Sequence, residues 1–210
     1  MAVTDVKNTA ARIKQGDIAG VYYFYGADIV QVEALTKQLI RKATGGNETM
    51  ALTKYDGKSL DMDELASSAE LFPMMAEYNC IWIHDLNAES CREEQLKKLL
   101  EIISDVGEQT VIVFSVTGFD VNDGKKTPAG KNKKLIDKIA KTGTVCEAVQ
   151  RTFPEIARSL ISSAQRRGCI LQRKEAEFLT ARCMGSTVQL QSELEKLCAH
   201  ANGGEITEKM

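Results

Sequence analysis

The chain has 210 residues, enough for one large domain or two small ones, and 43% of them are hydrophobic, enough for a substantial core. No segment approaches the roughly 20 consecutive apolar residues of a membrane span, and the first residues lack the layout of a secretory signal. We therefore expect a cytoplasmic protein that contacts no membrane. The net charge of −2 argues against a stand-alone nucleic-acid binder, which usually carries a marked basic excess.

Residues 1–149 alternate between strand and helix patterns. A strand pattern is a short run of β-branched or aromatic residues, whereas a helix pattern repeats apolar residues at every third or fourth position. Strands are predicted at residues 21–25, 50–55, 80–85, 110–116 and 144–149, and helices at residues 4–15, 28–42, 60–69, 89–106 and 133–140. Because parallel strands need crossovers of helix length, this alternation predicts a doubly wound parallel α/β sheet.

The pattern changes at residue 150, after which no further strand of appreciable length is predicted. Three amphipathic helices follow, at residues 153–167, 174–183 and 188–201, separated by Gly168 and by Gly185-Ser186. We therefore predict a second, small domain of three helices over residues 150–210.

The junction after the first strand begins like the phosphate loop of an ATPase but lacks its chemistry. That loop, G-x-x-x-x-G-K-[ST], binds phosphates and Mg²⁺ through backbone amides, a lysine and a hydroxyl. Gly26 is followed by Ala27-Asp28-Ile29-Val30-Gln31, without a second glycine, a lysine or a hydroxyl, and Asp28 would repel a polyphosphate.

A second part of the ATPase pattern is incomplete at the end of the third strand. Asp85 lies where such ATPases hold Mg²⁺ with an aspartate, but the catalytic glutamate that often accompanies it is absent. An aspartate after a strand also serves as a turn or cap residue. We predict a degenerate nucleotide site at Gly26, Asp28 and Asp85, with no catalytic residue and no cofactor.

The cysteines and histidines do not form metal or disulfide patterns. The six cysteines are far apart, no C-x-x-C occurs, and the two histidines have no metal-ligand spacing. We predict reduced, mostly buried thiols and no metal site.

One region, residues 120–141, is mildly basic, with seven lysines and three aspartates. Two interpretations are open. The region is either a solvated loop followed by an amphipathic helix, or it also makes modest contact with DNA alongside other subunits.

Several short motifs occur in a fixed order along the chain. They are Val21 to Leu35 with Gly26 and Glu33, Tyr55-Asp56-Gly57, Leu71-Phe72-Pro73-Met74-Met75 followed by Cys80 to Asp85, Thr110 to Ser115, Gln191-Ser192-Glu193-Leu194-Glu195-Lys196-Leu197, and Gly203 to Thr207. As an ordered set they resemble the delta subunit of the bacterial DNA polymerase III clamp loader, an AAA+ family.

The resemblance implies an AAA+ module, in which a RecA-like α/β domain precedes a helical lid. It implies a subunit that binds the ring-shaped sliding clamp (the beta subunit) and opens one interface of the ring without hydrolysing ATP, while other clamp-loader subunits drive the cycle. DNA would be contacted through the complex. The subunit would have no activity of its own within a DNA-directed DNA polymerase, a nucleotidyltransferase of DNA replication. The family's C-terminal collar domain is expected to be absent from this chain.

The resemblance also implies a clamp-binding element at Leu71 and Phe72, just before the third strand. Ala69 stands where the family motif can have a methionine, so one apolar anchor is missing. An exposed Leu-Phe pair can fill an apolar pocket and dominate the binding energy of an interface. Without the resemblance, the two residues would be interpreted as core residues.

Two other functions are compatible with the residues alone. One is a nucleotide enzyme with a degenerate phosphate loop, and the other is a DNA-binding scaffold that uses the lysines near residues 125–141.

Overall fold

The computed structural model describes residues 3–16, 18–73, 76–125 and 127–207, so Met74, Met75 and Lys126, named above, lie outside the described residues. The chain divides into two compact units, Met1–Val149 and Gln150–Met210.

The first unit is built on a five-stranded sheet in which all strands are parallel. The strands are β1 (Gly20–Tyr25), β2 (Leu52–Asp56), β3 (Asn79–His84), β4 (Thr110–Ser115) and β5 (Thr144–Glu147). Their order across the sheet is β2-β3-β4-β1-β5. This arrangement confirms the predicted doubly wound α/β fold.

Helices cover both faces of the sheet. They are α1 (Val6–Gln15), α2 (Ile29–Ala43), α3 (Glu48–Ala51), α4 (Met62–Ala69), α5 (Glu93–Ile102) and α6 (Gly130–Thr142), with a short 3-10 helix at Ala88–Ser90. Alternate strand residues face opposite sides, so Tyr22 and Phe24 pack with α1 and α2, whereas Tyr23 packs with α4, α5 and α6. Because the strands are parallel, they all start at one edge of the sheet, called here the N-terminal edge, and end at the C-terminal edge.

Three predicted boundaries are wrong, two of them because capping interactions override the periodicity. Residues 89–106 are not one helix, since Cys91 and Arg92 are extended and the Arg92 amide donates to Gln95 Oε1 at 2.9 Å. Met50 belongs to α3 instead of β2. Helix α6 begins at Gly130, three residues earlier than predicted, because Glu89 caps it with hydrogen bonds from backbone amides.

The second unit contains the three predicted helices, α7 (Phe153–Arg166), α8 (Arg173–Arg182) and α9 (Thr187–Ala201). It also contains a parallel pair of two-residue strands, β6 (Ile170–Leu171) and β7 (Glu205–Ile206), which are too short to show a sequence pattern. Leu160, Leu171, Leu190, Leu194 and Ile206 are among the residues that form its core.

Among the described residues, no helix combines the length and hydropathy that a membrane crossing requires. No group of three His, Cys, Asp or Glu side chains in the same part of the chain is placed to hold a metal ion.

The six cysteines are all buried and unpaired, as predicted. Burial raises the pKa of Cys80 to about 12, and the nearby Glu48 adds to this effect. Burial likewise raises the pKa of Cys91, Cys146, Cys183 and Cys198.

The buried thiols should react slowly in the native protein, because burial blocks access to all six and the raised pKa of the five named above disfavours the reactive thiolate. With Ellman's reagent at pH 8, we expect almost no rapid reaction before unfolding and all six thiols to react after unfolding in guanidinium. A thiol that reacts at the rate of a free cysteine in the native protein would contradict this burial.

Candidate functional site

The residues singled out in the sequence lie at opposite edges of the sheet. Gly26, Asp28 and Asp85 follow the ends of β1 and β3, at the C-terminal edge. Leu71 and Phe72 follow α4 and precede β3, so they lie at the N-terminal edge.

The connection from β1 to α2 is closed by the chain that follows β5. Only Gly26, Ala27 and Asp28 separate the strand from the helix, whereas a phosphate loop has eight residues. Ala148 donates its amide to Tyr25 O at 2.7 Å and accepts from the Asp28 amide at 3.0 Å. Gly26 has φ 135°, and a Cβ atom there would lie 2.3 Å from Ala148 O. The backbone around residue 148 therefore occupies the space beside this turn.

Asp28 caps the N-terminus of α2 from a fully buried position. Its carboxylate accepts hydrogen bonds from the Gln31 amide at 3.3 Å and from Gln31 Nε2 at 2.8 Å. A helix N-terminus attracts anions through its free amides and its dipole. Here the protein's own carboxylate meets these amides, and its negative charge opposes a second anion.

Asp85 serves as an acceptor that joins the ends of β3 and β4. It has φ 53°, in the left-handed region, which ends the strand at His84. Its Oδ1 accepts from the amides of Thr117 at 2.7 Å and Gly118 at 2.9 Å, and its Oδ2 lies 3.3 Å from His84 Nε2. One carboxylate oxygen is therefore already bound by two backbone amides.

One hollow at the C-terminal edge involves a single residue of the predicted nucleotide site. A hollow of about 250 Å³ lies beside Asp85 and is also lined by Gly57, Lys58 and Gly118. Gly26 and Asp28 do not line this hollow.

Leu71 and Phe72 are exposed, with 60% and 83% of their surfaces accessible to solvent. The interpretation of these residues as core residues is therefore wrong. We call the pair the apolar tip. Burying a phenylalanine side chain is worth about 1.5–3 kcal/mol, and Phe72 does not gain this stabilisation within the described part of the chain.

The end of α4, which carries the tip, is anchored to the sheet by side-chain hydrogen bonds. Asn79 Nδ2 donates to Ser68 O at 2.7 Å, and Thr110 Oγ1 donates to Ala69 O at 3.3 Å. The Tyr55 hydroxyl lies 2.7 Å from Ser68 Oγ. The last carbonyls of a helix lack partners within the helix, so these donors satisfy them and fix the last turn.

The anchoring residues were not predicted from the sequence. Asn79 and Thr110 are the first residues of β3 and β4. The sequence around a polar residue at the start of a strand does not indicate which group it will form a hydrogen bond with. Helix α4 ends at Ala69, as predicted, with Glu70 as its C-cap, so Pro73 lies beyond the helix. The proline instead favours an extended backbone at Phe72.

The basic region at residues 120–141 is a loop followed by α6, in agreement with one of its two interpretations. Lys131 is engaged within the fold, since its Nζ donates to Cys91 O at 2.7 Å and lies 3.5 Å from Glu93 Oε1. Contact of the other lysines with DNA stays a prediction.

Comparison with solved structures identifies other proteins that share the fold of this chain. The DNA clamp loader delta protein of Bacillus subtilis has a TM-score of 0.64 and 19% identity, over 96% of this chain and 60% of that one. A RuvB variant of Thermotoga maritima has a TM-score of 0.57 and 12% identity, over 94% and 61%. A DNA polymerase III gamma subunit-related protein of Thermotoga maritima has a TM-score of 0.50 and 12% identity, over 92% and 60%. The chain thus spans about 60% of the length of these structures. The first unit therefore shares the parallel α/β fold of these proteins.

A family model gives the more specific assignment. The model described as DNA polymerase III, delta subunit, matches residues 22–149, more than half of the chain. The chain therefore belongs to the DNA polymerase III delta subunit family. Comparison with curated proteins gives no match.

Substitution of Gly26 should reveal how tightly the β1–α2 turn is closed. Replacing Gly26 by Ala should lower the free energy of unfolding by about 3 kcal/mol or more, because left-handed strain is joined by a backbone clash. Urea denaturation measures the loss. Gly20→Ala is the matched control, since Gly20 has φ 102° but nothing within 4 Å of the added Cβ. Equal losses of unfolding free energy in the two variants would show that the space beside Gly26 can accommodate a Cβ atom.

Proposed function

We propose that this chain acts as a clamp-loader delta subunit, which binds the sliding clamp through Leu71 and Phe72 and helps to open one interface of the ring. The observation that carries the proposal is the exposed apolar tip on an anchored helix end. Membership of the DNA polymerase III delta subunit family supports the same role.

The tip has the properties of an interface anchor. Binding energy in protein complexes is concentrated in a few large side chains that fill pockets and exclude water. Leu71 and Phe72 are adjacent, exposed and carried on a turn whose carbonyls are hydrogen-bonded to the sheet. Because the turn is already fixed, little backbone entropy is lost when the pair enters a pocket.

Opening of the ring requires more than attachment. A ligand shifts a conformational equilibrium only by the difference between its affinities for the two states. The tip must therefore bind the open form of the clamp more tightly than the closed form. An anchored helix end suits this role, because a fixed turn presents the tip in one geometry, which can fit the open ring better than the closed one.

We further propose that the subunit neither binds nor hydrolyses ATP. The positions of Gly26, Asp28 and Asp85 form a degenerate nucleotide site, with the carboxylates used as a helix cap and as a loop acceptor. No cofactor and no catalytic residue are part of the proposal. ATP-driven steps would belong to the other clamp-loader subunits.

The remaining partners follow from the same role. The chain would work in the cytoplasm, as part of a DNA polymerase III holoenzyme, and would meet DNA through the assembled complex. We propose residues 1–149 as the RecA-like domain that carries the clamp-binding element and residues 150–210 as the lid.

Truncation of the tip should weaken clamp binding strongly. We expect Leu71→Ala with Phe72→Ala to raise the Kd for the sliding clamp of the same organism by roughly 100- to 1,000-fold, because anchors of this kind are worth about 2 kcal/mol each. Surface plasmon resonance measures the affinity, and thermal unfolding checks that the variant is folded.

A matched control removes apolar surface elsewhere. Phe178 and Met184 are also exposed but belong to the second unit, so Phe178→Ala with Met184→Ala should leave clamp affinity unchanged. Normal clamp binding by the tip variant, or an equal loss of clamp affinity in the control, would contradict the assignment of the tip as the clamp-binding element.

The closed β1–α2 turn should exclude nucleotide. Isothermal titration with millimolar Mg-ATP should give no saturable heat, because the turn has no free loop of amides and presents a carboxylate. An ATPase with an intact phosphate loop serves as the positive control. Saturation at micromolar nucleotide would instead support the nucleotide-enzyme alternative.

A further inference from the structure

The edge of the sheet that carries the apolar tip is electrically polarised. The loops before β3 and β4, which are neighbouring strands, contain the exposed acidic residues Glu70, Glu77, Asp105 and Glu108. These loops lie beside the tip, since Asn79 and Thr110 at the two strand starts hold the end of α4. The tip is therefore in a negatively charged part of the N-terminal edge.

Basic residues lie at the same edge, on the opposite face of the sheet. Lys14 is in the last turn of α1, and Arg41 and Lys42 are in the last turn of α2; all three are exposed. We call these three residues the cationic patch. The end of α1 is fixed at the N-terminal edge because Arg12 Nη1 donates to Thr144 Oγ1, at the start of β5, at 3.3 Å.

The two helices that carry the patch are neighbours. Gln38 Nε2 of α2 donates to Ala10 O of α1 at 3.0 Å, and a Cβ atom on Gly16 would lie 3.5 Å from Lys42 Nζ. The ends of α1 and α2 therefore meet, and their basic side chains lie close together.

Compensation of helix dipoles explains only part of this distribution. Cations are favourable at any helix C-terminus, yet of the helices that end at this edge on the face of the tip, α4 and α5 have no basic residue in their last turns and α6 has one, Lys141. Lys14, Arg41 and Lys42 form no ion pair with any residue in the described part of the chain. Their charges are therefore available to a partner.

We infer that the cationic patch is a second contact for the clamp and meets an acidic part of the clamp surface. The inference rests on the function proposed above. A partner seated on the tip faces the whole N-terminal edge, so the patch continues the same interface. One helix layer on each face of the sheet separates the tip from the patch by about 20 Å, which an interface of standard size, about 800 Å² per partner, can span.

A protein surface fits this edge better than duplex DNA does. DNA presents negative charge at every phosphate, and the four acidic residues beside the tip would repel it. A clamp surface can place an apolar pocket opposite the tip and carboxylates opposite the patch. The polarity of the edge then orients the clamp before the tip enters its pocket.

The patch should act on the rate of association. Charges at the rim of an interface steer the encounter and change its salt dependence, whereas the buried anchor determines the dissociation rate. We expect Lys14→Gln with Arg41→Gln and Lys42→Gln to lower the association rate with the clamp roughly tenfold at low salt. The difference should disappear at high salt, because screening shortens the range of the attraction.

The experiment compares this triple variant with a matched one by surface plasmon resonance at several salt concentrations. Lys58→Gln with Lys133→Gln and Lys134→Gln removes the same charge from exposed lysines at the C-terminal edge. We expect this control to associate at the wild-type rate. Thermal unfolding checks each variant, and Arg41→Gln with Lys42→Gln replaces the triple variant if that one is unstable.

The outcomes separate this inference from the proposed function. If the triple variant associates at the wild-type rate while truncation of the tip abolishes binding, the patch has no role in docking and the proposed function stands. If the triple variant loses duplex-DNA binding but keeps the clamp rate, the patch is a DNA contact and the inference is wrong. Normal clamp binding by the tip variant would instead contradict clamp binding through the tip, on which the proposed function rests.

Discussion

Five parallel strands force every connecting helix to begin at one edge of the sheet and to end at the other. This constraint determines where each functional feature lies. The turn after β1 and the aspartate after β3 are at the C-terminal edge, where an AAA+ ATPase would handle phosphate. The end of α4 is at the N-terminal edge, together with the ends of α1 and α2. The fold thus separates the turn after β1 and Asp85 from the apolar tip and the cationic patch by the length of the strands.

Much of this arrangement could be predicted from residue patterns. The strands β1 and β4 are unbroken apolar runs, and every one of their residues except Gly20 is buried, so their position in the centre of a parallel sheet follows from composition alone. The three helices of the second unit could be predicted because apolar residues repeat at helical spacing within each of them.

The parts that could not be predicted depend on contacts between distant residues. Asn79 and Thr110 hold the end of α4 across 11 and 41 positions of sequence, and neither side chain signals a partner in its own segment. Glu89 shifts the start of α6 from more than 40 residues away. The exposure of Leu71 and Phe72 was ambiguous for a related reason: two apolar residues after a helix are as suitable for a core as for an interface until the packing around them is known.

The closed turn at Gly26 also sets a limit on how the first unit could change. Restoring the residues of a phosphate loop by substitution would not restore the loop, because only three positions join β1 to α2 and the backbone of Ala148 is bonded to both ends of that connection. New residues would have to be inserted, and the segment after β5 would have to move away at the same time. Formation of a phosphate loop at this turn would therefore require an insertion and a rearrangement together, and point mutations alone provide neither.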